Sequence, residues 1–257
     1  RYIIGFDVNF DINIAYPNGW IQTLLKFNQQ LKENGQKRLS MICTGKNHTV
    51  LVDSSSGVYT FGLGDSGQLG HGVKTNEIYP RYLDSLLYQA NNAESSISKP
   101  ISSRIEVLSI CTGADHTLLL TGSKRVYSWG SNRRGQLGHS EFNNSALPRL
   151  VLGPKNVRLI ACGAYHSACL ADPGILHVWG ARECLGRRSD SDCSEAHTLP
   201  FFQKKRVQSL VCGDIHVTVR AGNEFYSWGL NTHGQLGTTK NNTMSNYHHH
   251  NNNHKNN

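Results

Sequence analysis

Two stretches of this chain, "VYSWGSNRRGQLG" at 126–138 and "FYSWGLNTHGQLG" at 225–237, are nearly the same phrase. Repetition of this kind limits the fold before any single residue does, because a self-similar chain is built by stacking copies of one supersecondary unit. The period runs through most of the sequence. Gly-x-x-His recurs at Gly45/His48, Gly113/His116, Gly163/His166 and Gly213/His216, in steps of 68, 50 and 50 residues. Sixteen residues after each of the first three glycines stands an aromatic followed by glycine, at Phe61-Gly62, Trp129-Gly130 and Trp179-Gly180. The fourth copy, Trp228-Gly229, comes at fifteen.

Local signals agree within each copy. The runs "TVLV", "TLLL", "SACL" and "VTVR" follow the histidines, turn formers "DSSSG", "TGSK", "DPG" and "AGN" come next, and "VYTF", "RVYSW", "ILHVW" and "EFYSW" close the unit. Each copy reads as a β-hairpin. A third strand is predicted upstream in "RLSMIC", "IEVLSIC", "VRLIAC" and "VQSLVC". One such sheet cannot bury both its faces, whereas like units stacked around an axis can. The predicted fold class is all-β, a β-propeller. Trp-Asp dipeptides and Gly-Gly pairs, the marks of two other propeller families, are absent.

The combination C-x-G or C-G, then x-x-H, then V-Y-S-W-G-x-N-x-x-G-Q-L-G resembles the regulator of chromosome condensation repeat family, over roughly residues 38–238. That resemblance implies a seven-bladed ring with repeats of about this length. Seven blades would take on the order of 350 residues, so the 257 residues here are expected to form about four blades of an incomplete or fragmentary ring. An open ring exposes sheet edges, which predicts poor solubility alone or pairing with further blades.

The predicted organisation is an atypical segment at 1–37, propeller repeats at 38–240 and an Asn/His-rich tail at 241–257. The repeat units lie near 38–70, 105–140, 157–188 and 207–238, with an insertion at 71–104. In the first segment Trp20, Leu24, Leu25 and Leu31 are spaced for one helical face, with Gly35 as terminator. Leu83, Leu86, Leu87 and Ala90 in the insertion also have helical spacing; a short helix and an irregular loop both stand for it. The tail has little to bury and reads as disordered.

Composition adds limits. A formal charge of +8 suits acidic partners, nucleic acid or chromatin among them, but 26 Lys+Arg against 18 Asp+Glu is a modest excess. Seven cysteines without a C-x-x-C pair, and an N-terminal stretch unlike a signal peptide, suit a reducing compartment, cytoplasm or nucleus. No run approaches the roughly 18 apolar residues of a membrane helix, so no membrane partner is expected.

The residues that invite a chemical reading mostly decline it. "GLGDSG" at 62–67 matches a phosphate-binding fingerprint in form, but helix-breaking "QLGHG" follows where a helix is required. Its siblings carry Asn132 and Asn231 where it has Gly64. Gly and Asn are the residues that most readily take positive φ, so the slot reads as a left-handed turn position, held by Arg182 in a shortened third loop. Cys43 and Cys111 precede the repeat glycine by two residues, Cys162 and Cys212 by one. That offset puts them on opposite strand faces, against a shared metal site and in favour of packed thiols.

The histidines keep register, and a structural tie from each ring to neighbouring backbone is expected. No catalytic residue, cofactor or metal site is assigned. Gly45, His48, Gly113, His116, Gly163, His166, Gly213, His216, Trp129, Trp179 and Trp228 read as repeat framework. Arg133, Arg134, Arg187, Arg188, Thr232 and His233 lie in the variable part of the post-aromatic loops and are the candidate contacts for a partner. The expected role is a non-enzymatic protein-binding scaffold. The resemblance also implies guanine nucleotide exchange on a small Ran-type GTPase as an alternative, and the basic pairs Arg133-Arg134 and Arg187-Arg188 motivate chromatin or nucleic-acid association as another.

Overall fold

A strand apolar on both faces needs a neighbour on each side, and the "TLLL" and "SACL" runs have one. The structure, a computed structural model, describes residues 20–35, 37–86, 105–237 and 248–250. Among these, sixteen strands form four antiparallel sheets of four. The first is β1 (Leu39–Thr44), β2 (His48–Asp53), β3 (Val58–Gly62) and β4 (Glu77–Tyr82). The second is β5 (Val107–Thr112), β6 (His116–Thr121), β7 (Val126–Gly130) and β8 (Ser145–Leu150). The third is β9 (Val157–Cys162), β10 (His166–Ala171), β11 (Ile175–Gly180) and β12 (Cys193–Thr198). The fourth is β13 (Val207–Cys212), β14 (His216–Ala221), β15 (Glu224–Gly229) and β16 (His248–His250). This is a β-propeller arc of four blades that does not close.

Alternation within each strand assigns its side chains to one interface or the next. On β6, Leu119 packs towards the first sheet with Val50, Val52 and Trp129, while Leu118 and Leu120 pack towards the third with Cys169 and Trp179. Every residue of β6 and β10 is buried. The ends of the arc differ. On β14 only Val217, Val219 and Ala221 are buried, against the third sheet; His216, Thr218 and Arg220 face away from it. At the other end α1 (Trp20–Glu33) lies on the first sheet, with the Phe27 ring edge-on to Tyr59 at 4.9 Å and Leu31 buried. Of the predicted helical face, Leu31 is buried but Leu25 is 52% exposed, Phe27 making the contact with Tyr59, and the side chains of Trp20 and Leu24 lie outside the described residues. Gly35 does take a left-handed φ of 116° just past the helix.

The fourth strand of each sheet extends every repeat beyond its predicted unit. Proline within "EIYPRY" and "SALPRL" argues against a central strand, and these are edges, where a missing N–H is tolerated. Much of the predicted insertion is therefore ordinary blade: 77–82 forms β4, and the extra chain follows it. Leu83 and Leu86 are buried between the first two sheets, while Leu87 and Ala90 lie outside the described residues. The tail was expected to be disordered, but His248–His250 pairs with Phe225–Ser227 as β16. Backbone pairing at a free edge asks little of side chains, which is why composition missed it. The rest of the tail lies outside the described residues.

The repeated phrase is a latch between blades. Trp129 Nε1 donates to the Gln68 carbonyl at 2.9 Å, Trp179 Nε1 to the Gln136 carbonyl at 2.8 Å and Trp228 Nε1 to the Cys184 carbonyl at 2.9 Å. Each indole thus reaches back into the loop of the preceding sheet. Gly70, Gly138 and Gly186 make room for it, since a Cβ there would stand 3.0 Å from the indole nitrogen.

The left-handed reading of Gly64, Asn132 and Asn231 is overturned, for none of the three has positive φ. Asparagine serves by its amide: Asn132 Oδ1 accepts from Leu137 N at 2.9 Å and Asn231 Oδ1 from Leu236 N at 2.9 Å, closing the loop. At Gly64 a Cβ would lie 1.9 Å from the Thr75 carbonyl oxygen, so close approach of backbone explains glycine there.

Trp179→Phe keeps an aromatic knob but removes the buried N–H bond to Gln136. It is expected to lower unfolding free energy by about 1–3 kcal/mol, read from a urea midpoint. An unchanged midpoint would dismiss the latch as an energetic link.

Candidate interaction rim

Register fixes which loops share an end of the arc. His48 pairs with Gly62, His116 with Gly130, His166 with Gly180 and His216 with Gly229, so the Gly-x-x-His turns and the post-aromatic loops emerge on the same side. The turns are joined sheet to sheet by backbone. Lys46 N donates to Ala114 O at 3.0 Å, Ala114 N to Ala164 O at 3.2 Å and Ala164 N to Asp214 O at 2.9 Å.

Beneath this belt the histidines bond across blades to a hydroxyl, not to backbone as expected. His48 Nε2 meets Thr117 Oγ1 at 3.1 Å and His116 Nε2 meets Ser167 Oγ at 2.9 Å. Ser167 gives its single hydroxyl proton to the Gln136 carbonyl, so it accepts from His116, whose proton is therefore on Nε2. The repeat glycine exists for the ring: a Cβ on Gly113 would sit 2.1 Å from His116 Cε1 and 2.4 Å from the Gly163 carbonyl oxygen. The hydroxyl fails once. Val217 stands where Thr117 and Ser167 stand, and neither ring nitrogen of the buried His166 has a partner.

Burial keeps these imidazoles neutral. It pulls His48 and His139 down to about 4, and His116 and His166 to about 3, from an ordinary 6.5. His139 and His71 escaped the sequence reading. Their Nε2 atoms meet Ser128 Oγ at 2.8 Å and Thr60 Oγ1 at 2.9 Å, and those hydroxyls donate to the Leu137 and Leu69 carbonyls. The visible signal was a histidine directly after Gly-Gln-Leu-Gly in the first two copies. Among the described residues no group of three or more His, Cys, Asp or Glu side chains could hold a metal.

The predicted contact residues separate into two groups. Arg134 is committed to the neighbouring blade: its Nη2 donates to Glu183 at 2.7 Å and Asp192 Oδ1 at 2.9 Å, and its Nε to Asp192 Oδ2. Arg133, Arg187, Arg188, Thr232 and His233 are exposed. The structure adds Tyr165, 43% exposed in its Gly-x-x-His turn, a position that no motif of the sequence singles out.

Residues 55–120 and 124–170 match the regulator of chromosome condensation (RCC1) repeat, and 107–136 match a second form of it. The chain belongs to this family. It is 30% identical over 208 residues to the E3 ubiquitin-protein ligase HERC2 of Homo sapiens, covering 78% of this chain and 4% of that one. To Protein RCC2 of Mus musculus it is 30% identical over 225 residues, covering 81% of this chain and 42% of that one. The crystal structure of yeast RCC1 (Prp20) bound to Kap60 aligns with a TM-score of 0.65 at 23% identity, over 81% of this chain and 48% of that chain, a likeness of fold. The chain spans less than half the length of each of these.

Two outcomes test the histidine stack. Thr117→Val leaves His48 Nε2 without its hydroxyl and is expected to cost about 1–3 kcal/mol, whereas Val217→Thr supplies His166 with one and should raise stability by roughly 1 kcal/mol. Equal losses from both in denaturant titrations would refute the pairing. The second concerns pH. The folded imidazoles stay neutral to about 3–4 while unfolded ones protonate near 6.5, so the unfolded state binds more protons in between. Stability is therefore complete above about pH 6.5 and falls as pH drops towards 4, by on the order of 1–2 kcal/mol per histidine at pH 5. A urea midpoint that is flat from pH 7.5 to 5 would contradict this.

Proposed function

We propose that this chain is a non-enzymatic interaction module, its propeller arc a scaffold that binds another protein through the loops at the Gly-x-x-His end. One observation carries the reading. The side-chain atoms that the repeats share are consumed between sheets, while the positions that differ from repeat to repeat are exposed at one end: Arg133, Arg187, Arg188, Thr232 and His233, beside Tyr165. Arginine and tyrosine are also the side chains that most often dominate binding energy at protein interfaces. A Tyr165→Ala, Arg133→Ala, Arg187→Ala variant is expected to lose a captured partner by at least about tenfold in affinity with its urea midpoint unchanged. Retention of full affinity would move the site off this rim.

A second reading is exchange on a Ran-type GTPase. It is favoured by fold likeness to Prp20p of Saccharomyces cerevisiae, a structure described with its binding properties to Gsp1p and histones, at a TM-score of 0.65 and 20% identity. Release of a fluorescent nucleotide from such a GTPase separates the two readings: acceleration supports exchange, and none leaves the scaffold. Histone or nucleic-acid association, the third, requires affinity that weakens steeply with salt.

A further inference from the structure

The innermost strands β1, β5, β9 and β13 place one recurring pair of positions in contact across each interface. The residue two before a repeat glycine faces the next sheet, and the residue one before the following repeat glycine faces back to meet it. At the first interface these are Cys43 and Thr112, with Sγ and Oγ1 3.1 Å apart. At the second they are Cys111 and Cys162, whose sulfurs stand 2.9 Å apart. At the third, the corresponding residues are Ala161 and Cys212, which belong to one apolar cluster. Only the second interface carries a thiol on both sides, and both cysteines are free and half-buried. A disulfide requires sulfurs at about 2.05 Å, so the pair needs to close by less than 1 Å.

We propose that Cys111 and Cys162 are a reversible modification site, oxidised by a peroxide to a disulfide that staples the second blade to the third beside the propeller axis. One thiolate attacks the O–O bond of hydrogen peroxide, giving a sulfenic acid and, with a proton, water. The second sulfur attacks that sulfenic sulfur, the S–O bond breaks and a second water leaves. Two thiols lose two electrons and two protons, and the peroxide takes up both. A dithiol reverses the step and leaves as its own disulfide. Burial pushes both thiols up from their ordinary range, so oxidation is slow at neutral pH and quickens as pH rises.

The test is peptide mapping of the full chain after hydrogen peroxide and maleimide alkylation, without reductant. The expected product is a Cys111–Cys162 crosslinked peptide two hydrogens lighter, assigned to Cys162 over Cys169 by fragment ions and lost on dithiothreitol. Oxidised chain should also melt several degrees higher. Cys111→Ala and Cys162→Thr carry residues that sibling repeats already use at these positions, so each should fold, lack the crosslink and lose the oxidative shift; Cys43→Ala should keep both. Two maleimide-labelled thiols after peroxide, separate sulfinic acids, or crosslinks scrambled to Cys43 or Cys212 would overturn the proposal.

Discussion

A sheet of four strands of three to six residues cannot cover either of its own faces, and the remaining features of this structure follow from burying both between neighbours. Leu118 and Leu119 are adjacent on one strand yet belong to different cores, so the identity of a blade is inseparable from the blades on each side. Such an interface must also satisfy the polar atoms it buries. The indole N–H finds a loop carbonyl, the histidine finds a hydroxyl, and the turn amides find one another. All three links run from one repeat into the next, so the most recognisable residues of the repeat serve the joint and not the unit. The two ends of the arc are treated differently: α1 covers one, and alternating polar residues on β14 occupy the other.

The parts of this that depend on neighbours in sequence were legible. Short β-rich runs separated by turn formers pointed to the hairpins, and the recurring spacing from glycine to aromatic pointed to the stacking. The fourth strand was not, because Pro80 and Pro148 signal breaks wherever a strand is judged by composition, and only an edge position reconciles them with pairing. The histidine partners lie 69 and 51 residues away, beyond any local pattern. A trace was nevertheless present: Thr49, Thr117 and Ser167 directly follow their histidines, and Val217 breaks the series where His166 of the preceding repeat has no partner on either ring nitrogen. The error at Asn132 had a different origin. Asparagine shares with glycine a tolerance of left-handed backbone but also carries an amide, and the exchange with Gly64 invited the first property when the second was in use.

The cysteine offset shows the same limit from the other side. A shift of one residue correctly placed Cys111 and Cys162 on opposite faces of their own strands. In a stack, however, the front of one sheet meets the back of the next, so opposite faces are what bring the two sulfurs together.

The third repeat shows what the joint demands. It replaces the Ser/Thr of its siblings by Val178, which cannot bond the Leu185 carbonyl, and His197 on the outer strand β12 does so at 3.1 Å. Asp192 receives the Arg182 N–H at 2.9 Å, as Asn76 and Asn144 receive Gly64 and Asn132. A 3-10 turn at Arg182–Cys184 replaces the longer loop and still delivers a carbonyl to Trp228. Nothing of Gly-Gln-Leu-Gly survives there except Leu185 and Gly186, one filling the core and the other seating the indole. The constraint is thus the place of one carbonyl and one apolar side chain, reachable by more than one loop. Because the joint fixes so few atoms, the loop tips are free to change without loss of the fold, and that freedom is what a scaffold needs to meet a partner of its own.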